Sequence, residues 1–206
     1  MTAFEEDLKI WYESPIRKEL IERFESLLLS TQDKDDVKKL LTDLHQVGLN
    51  GMTFFDEPAS GNHHGNALGG LLKHSLNVFD RFVSFVREQH LELTNETVIK
   101  SALLHDLCKW KCYYPNLTLK GEYSAKSKFV FKDPLPLGHG EKSVIVLQDY
   151  LTLTDVEKLL IRFHMGPFDE YLKRWNDANL VKICPEYIWL YIADQIVSRI
   201  EGGDEE

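Results

Sequence analysis

Apolar residues recur at helical spacing along most of the chain. Phe4, Leu8, Trp11, Ile16, Leu20, Phe24 and the pair Leu27-Leu28 predict a helix over 4–29. Pro15 breaks or kinks it, because proline has no amide hydrogen and its ring crowds the preceding turn. Val37, Leu40, Leu41 and Leu44 share one face over about 34–47, with Gly48 as the stop. Residues 48–70 carry six glycines, one proline and few periodic apolar positions, the pattern of an irregular loop. Leu71, Leu72, Val78, Phe79, Phe82, Phe85 and Val86 define an amphipathic helix from Leu71 to about Glu88. Thr94 or Asn95 caps the next one, which runs to about Lys109 with Val98, Ile99, Ala102 and Leu103 turned inward. The period is then lost over 110–137, where the alternation Lys128-Phe129-Val130-Phe131-Lys132 predicts a short hairpin strand or extended lid. Helical spacing returns over about 139–151, 154–164 and 186–201, the last ending at Gly202-Gly203. The expectation is an all-α chain of one domain over 1–206. N-terminal helices fill 1–50, the core spans 60–201, and a short extended insert lies near 110–135.

Within this frame the chemistry-bearing residues fall at particular places. His74 lies on the apolar side of its helix, one turn from both Leu71 and Val78. His105 and Asp106 are adjacent behind Ala102-Leu103, His139 opens a helix after Gly138, and His164 closes one. Asp194 interrupts the most apolar helix, Tyr187-Ile188-Trp189-Leu190-Tyr191-Ile192-Ala193. A carboxylate there is costly to desolvate unless it is paired or binds a metal. Alone, each has an ordinary role: a helix-face histidine is usually a core or surface residue, and Asp194 could pair with an arginine such as Arg199. The ordered set of His, His-Asp, His, His and Asp at helix-sized intervals changes the weighting. Imidazole and carboxylate donors without thiolate suit Mn, Fe, Co, Ni or Mg better than structural zinc.

The sequence resembles the HD superfamily of metal-dependent phosphohydrolases. The resemblance rests on Gly69-Gly70-Leu71-Leu72-Lys73-His74-Ser75, on Leu103-Leu104-His105-Asp106-Leu107-Cys108-Lys109 and on Ala193-Asp194, and covers roughly 60–200. Gly138-His139-Gly140-Glu141-Lys142-Ser143 and His164-Met165-Gly166 are similar to the additional histidine stations of binuclear members. The resemblance implies an HD-domain helical bundle holding two divalent metal ions. The first would take His74, His105, Asp106 and Asp194; the second would share Asp106 and add His139 and His164. It further implies that a metal-activated hydroxide attacks phosphorus, with Asp106 and Lys109 as catalytic residues. Lys109 would then be a phosphate contact or leaving-group stabiliser, although a lysine near a helix C-terminus is also favoured by the helix dipole. The same ligand order, with a lysine three positions after the His-Asp pair, resembles mixed-valent di-iron oxygenases. A 3′-5′ exonuclease on short single strands and a non-catalytic nucleotide sensor would also fit the same residues.

Charge narrows the partners. The chain of 206 residues carries a net charge of −9, whereas a protein gripping duplex nucleic acid needs a basic surface. A small phosphorylated substrate, a nucleotide by class, suits this balance better. The segment from Lys109 to Lys132 reverses it locally, with six lysines, six aromatics and one acid, Glu122. It could form a substrate flap in which Lys111, Tyr114, Lys126 and Lys128 meet base and phosphate, or a hairpin packed by its own aromatics. His63 and His64 in the glycine-rich loop, and Lys142 one turn beyond His139, complete the candidate substrate contacts; Arg162 beside His164 is a weaker one. His45 and His90 read as surface residues. No stretch approaches the roughly 18 apolar residues of a membrane span, and the acidic opening Met1–Asp7 leads into no secretory signal. Three scattered cysteines, Cys108, Cys112 and Cys184, make no disulfide framework and suggest a reducing, cytoplasmic setting. Trp11 and Tyr12 look exposed, so the first helices could pack on the domain or in a homodimer.

Overall fold

The computed structural model describes residues 1–61, 65–175 and 177–200. Among these the chain is mostly helical, with one two-stranded hairpin. The first predicted helix is two: α1 (Ala3–Glu13) and α2 (Pro15–Leu29). Thr2 starts α1 reciprocally, its Oγ1 accepting from the Glu5 amide at 3.2 Å while its own amide donates to Glu5 Oε2 at 2.7 Å. Pro15 opens α2 at the first helical position, where its missing N–H leaves no bond unmade. α3 (Lys34–Leu44) follows, then a 3₁₀ turn at Phe54–Asp56 and the long α4 (Gly70–Glu88).

α5 (Asn95–Leu104) is capped by Thr94, whose Oγ1 accepts from the Thr97 amide at 3.1 Å. It is shorter than its sequence pattern suggests. The backbone leaves the helix at His105-Asp106 and recoils as a 3₁₀ turn over Leu107–Lys109. β1 (Tyr113–Pro115) and β2 (Phe129–Phe131) pair antiparallel, with Tyr113 opposite Phe131. α6 (His139–Gln148) and α7 (Asp155–Phe163) come next. Two short helices, α8 (Glu170–Trp175) and α9 (Ala178–Ile183), occupy a stretch with no predicted element, and α10 (Tyr187–Arg199) closes the fold.

The core has three apolar clusters. The first gathers Phe24, Leu28, Leu40, Phe54, Phe55, Leu71, Leu103, Leu147 and Ile161. The second gathers Val78, Phe82, Val98, Ala102, Leu160, Leu190 and Val197. α4, α5 and α7 contribute to both, so the polar residues they carry sit where the clusters meet. α4 packs most extensively against α5 and α10. The third cluster, Phe4, Met52, Tyr113 and Phe129, fastens the hairpin to α1, helped by the Ala3 amide donating to Gly121 O at 2.8 Å. Trp11 and Tyr12 likewise turn onto the chain itself. The Trp11 ring lies where a side chain at Gly69 would have to go: a Cβ there would fall 2.1 Å from Cζ2, and Gly69 holds the left-handed φ of +75°. No helix among the described residues is long and apolar enough to cross a membrane.

Candidate metal centre

Six residues from five parts of the chain converge. His74 comes from the middle of α4, His105 and Asp106 from the unwound end of α5, and His139 from the first residue of α6. His164 follows α7, and Asp194 sits on the buried face of α10. His74 Nε2 stands 3.2 Å from His105 Nε2, 3.2 Å from Asp194 Oδ1 and 3.5 Å from Asp106 Oδ2. Asp106 Oδ1 is 2.7 Å from His139 Nε2 and 3.6 Å from His164 Nε2. All except the half-buried His139 are buried. Donor atoms fall into three overlapping groups: His74-His105-Asp194, His105-Asp106-His164 and Asp106-Cys108-His139.

The hydrogen bonds behind these side chains decide what they offer. His105 Nδ1 donates to the Ala102 carbonyl at 2.8 Å, and His164 Nδ1 donates to the Ile161 carbonyl at 2.7 Å. In the neutral ring each bond selects the tautomer whose Nε2 lone pair faces the cluster, while for His105 burial is outweighed by the Asp106 and Asp194 carboxylates, which pull its pKa up. His164 Nε2 makes no hydrogen bond although it is fully buried. A buried imidazole nitrogen in that state is unfavourable by itself and well suited to a metal ion. The spacings agree: octahedral neighbours about 2.1 Å from an ion stand about 3 Å apart. These buried histidine and aspartate groups could hold metal ions.

Electrostatics follow the same plan. Burial pushes the Asp106 carboxyl up, but the Lys109 ammonium and the His105 imidazole outweigh it and hold the group well below the carboxylate range. Asp194 is likewise pulled down against burial, chiefly by His74; Ser198 Oγ donates to its Oδ1 at 3.1 Å and Gln195 Nε2 to its Oδ2 at 3.3 Å. For His139 burial is opposed by Asp106, which raises it to about 10. His74 and His164 are pushed down, mainly by burial. Lys109 is not on a continuous helix with His105. The 3₁₀ turn, closed by the Lys109 amide donating to Asp106 O at 2.9 Å, sets its Nζ 2.6 Å from Asp106 Oδ2.

The other sequence candidates separate from this cluster. Lys142 is buried and committed to Asp133 Oδ1 at 2.5 Å, with Cys112 Sγ at 3.1 Å. Lys111 takes a left-handed φ of 64° and lays its ammonium over the Trp110 ring. Tyr114 is half-buried beneath the Lys132 ammonium. Lys126 is exposed, and Lys128 reaches Asp7 at 3.9 Å. The aromatics of the lysine-rich segment pack on one another and on α1, as in Tyr113–Phe131 at 5.1 Å and Phe4–Phe129 at 6.5 Å. Arg162 is paired with Glu141 and Asp169. His63 and His64 lie outside the described residues. Arg199 does not meet Asp194 but lies over the Phe168 ring. His45 and His90 are exposed, His45 beside Glu25 at 2.6 Å.

Sequence reasoning missed several supports. Cys108 Sγ stands 3.5 Å from His139 Nδ1, and the Cys108 amide donates to Ser143 Oγ at 3.0 Å. Gln195 and Ser198 flank Asp194; Ser198, one turn on, was the one with a readable signal. Gly140 has a packing reason: a Cβ there would fall 2.0 Å from the Arg162 carbonyl oxygen. Its absence lets the start of α6 press on the end of α7 and brings the His139 and His164 rings to 5.3 Å. Comparison with protein-family models, with curated proteins and with solved structures finds no match for this chain.

Proposed function

We propose that the chain is a metal-dependent phosphohydrolase of the HD superfamily, with the helical bundle of that group, cleaving a small phosphoester of the nucleotide class. The observation that carries the reading is the buried His164 Nε2, without a hydrogen bond, aimed with His105 Nε2 at Asp106. His74, His105, Asp106, His139, His164 and Asp194 would hold two divalent ions of the Mn, Fe, Co, Ni or Mg type. When bound, such ions supply Lewis acidity and a nucleophilic water at neutral pH.

The chain's own residues do the rest. Carbonyls of Ala102 and Ile161 hold two imidazoles in the ligating tautomer, and Ser198 and Gln195 steady Asp194. Lys109, kept protonated by Asp106, places a positive charge at the edge of the cluster, where a phosphoryl oxygen gains charge. The overall charge of −9 favours a small anion drawn to a local positive site over a duplex.

Metal analysis of the purified protein, followed by a phosphate-release screen over nucleotides and phosphoesters, tests this. The expected result is two transition-metal equivalents and phosphate release that His105→Ala with Asp106→Ala abolishes. Bound iron with oxygen uptake and no phosphate would replace the reading with an oxygenase. Mononucleotides released from single strands would make it an exonuclease. Tight nucleotide binding without turnover would leave a sensor.

A further inference from the structure

Lys142 differs in its partners from the other buried lysine among the described residues, Lys100, whose ammonium meets two carboxylates, Asp33 and Glu96. Lys142 is 5 % exposed, and its ammonium meets two groups, Asp133 Oδ1 at 2.5 Å and Cys112 Sγ at 3.1 Å. Asp133 Oδ1 is also 3.8 Å from the same sulfur, and the Leu135 amide holds it at 2.9 Å. A lysine–aspartate pair in a partly buried place is ordinary, because the carboxylate offsets desolvation of the ammonium. The thiol is not required for that pairing. It adds a nucleophilic sulfur against a nitrogen, at a separation that one bridging atom closes with small side-chain shifts.

We propose that Cys112 and Lys142 form an oxidation-dependent covalent crosslink through a single oxygen atom, Nζ–O–Sγ, with dioxygen as the oxidant. The ammonium, which Asp133 holds protonated, must first lose a proton to solvent past that partly exposed carboxylate, and this deprotonation limits the step. One N–H and the S–H bond then break while N–O and O–S bonds form. The second oxygen atom leaves as water with those two hydrogens. Nitrogen and sulfur each give up two electrons, and dioxygen takes all four.

Other fates of this sulfur are disfavoured by its surroundings. Cys112 is fully buried, which keeps other thiols and bulky oxidants from its sulfur. Cys184 lies in the second core cluster, to which Cys112 does not belong, and Cys108 Sγ faces His139. Dioxygen, small and apolar, enters packed protein more readily than a charged oxidant does. The crosslink would join α6, three residues after His139, to the segment just past Asp106. It would therefore clamp two elements of the candidate centre to each other, whatever reaction that centre performs.

Intact-mass measurement of the full chain, held under reductant without oxygen and then exposed to air, is the test, followed by peptide mapping. The expected shift is a gain of one oxygen less two hydrogens, with one new peptide joining Cys112 to Lys142, reversed by dithiothreitol. Cys112→Ser and Lys142→Arg abolish the shift and Cys108→Ser keeps it, each variant first shown to be helical by circular dichroism. Should a variant not fold, the wild-type joined peptide decides alone. No shift in air, whole oxygens added at Cys112, or the loss of two hydrogens only (a disulfide) would each overturn the proposal.

Discussion

Two aspartates of this chain are almost equally buried and are used in opposite ways. Asp56, with no exposed surface, accepts from Trp11 Nε1 at 3.0 Å, Tyr12 Oη at 3.0 Å and Arg17 Nε at 3.1 Å. It also takes the Thr53 amide at 3.0 Å and the Thr53 hydroxyl at 2.6 Å. Every donor is protein, and they tie α1 and α2 to the loop before α4. Asp106, 3 % exposed, has Lys109 and His139 as close partners, and faces His105 and His164, each anchored through Nδ1 to a backbone carbonyl. A saturated carboxylate is a structural tie. A carboxylate met by an ammonium and three imidazoles is part of a cluster that could hold a metal ion. The contrast separates the two roles more sharply than burial or charge alone.

The largest expected effect comes from breaking the saturated side. Asp56→Ala strands the Trp11, Tyr12, Thr53 and Arg17 donors and should lower stability by about 3–5 kcal/mol in urea unfolding; a loss below about 1 kcal/mol would show that the tie is dispensable. Next is the response to metal. At a divalent-ion concentration about one hundred times Kd, the wild type should gain about 2.7 kcal/mol. Asp106→Asn should lose that gain and Asp56→Ala should keep it, measured as the shift of the thermal midpoint on adding Mn. An equal gain in both variants would erase the distinction.

Glu57, the neighbour of Asp56, supplies an intermediate case. Its Oε1 accepts from Asn50 Nδ2 at 2.7 Å and the Lys111 amide at 2.8 Å, yet burial dominates and pushes the carboxyl from 4.5 up to about 8. Between these values the folded chain keeps a proton that the unfolded chain has lost. Stability should therefore decline as pH rises from about 4.5 to about 8, by up to about 1.4 kcal/mol per pH unit. Glu57→Gln should flatten that slope in unfolding curves taken across the window, and an unchanged slope would assign the decline to another group. The smallest effect is expected at the surface. Lys128→Ala removes an exposed pair with Asp7 and should change stability by less than about 0.5 kcal/mol; a larger loss would mean that the hairpin depends on it.

The helical character and the residues of the candidate centre were readable in the sequence because their patterns are local. A polar residue set into an apolar helix face, as His74 and Asp194 are, stands out against its neighbours without knowledge of the fold. The hairpin showed itself through the alternation at Lys128–Lys132. What escaped was set by close packing or by short range. The end of α5 at Leu104 has no glycine or proline to mark it; His105 keeps helical dihedrals and the backbone departs only at Asp106, with φ −101° and ψ 17°. α8 and α9 have six residues each, too few for a period to register. The lysines read as candidate phosphate contacts on charge alone, since sequence shows charge but not partner, and the structure adds their partners. Lys142 went to Asp133 and Cys112, and Lys128 to Asp7. Asp56 was not singled out, as three of its donors lie on α1 and α2 and only Thr53 is local.

The docking of α10 on α4 also governs when the centre can exist. His74 belongs to the fourth helix and Asp194 to the tenth, so the pair meets only once α10 has been made and has docked on α4. Contacts of such sequence separation form late, because the intervening loop must first be closed. A chain growing from its N-terminus would carry His74, His105 and Asp106 for some time without their last carboxylate. Under the proposed function, metal capture would report that α10 has docked on α4, and an ion at the centre would favour that docked state.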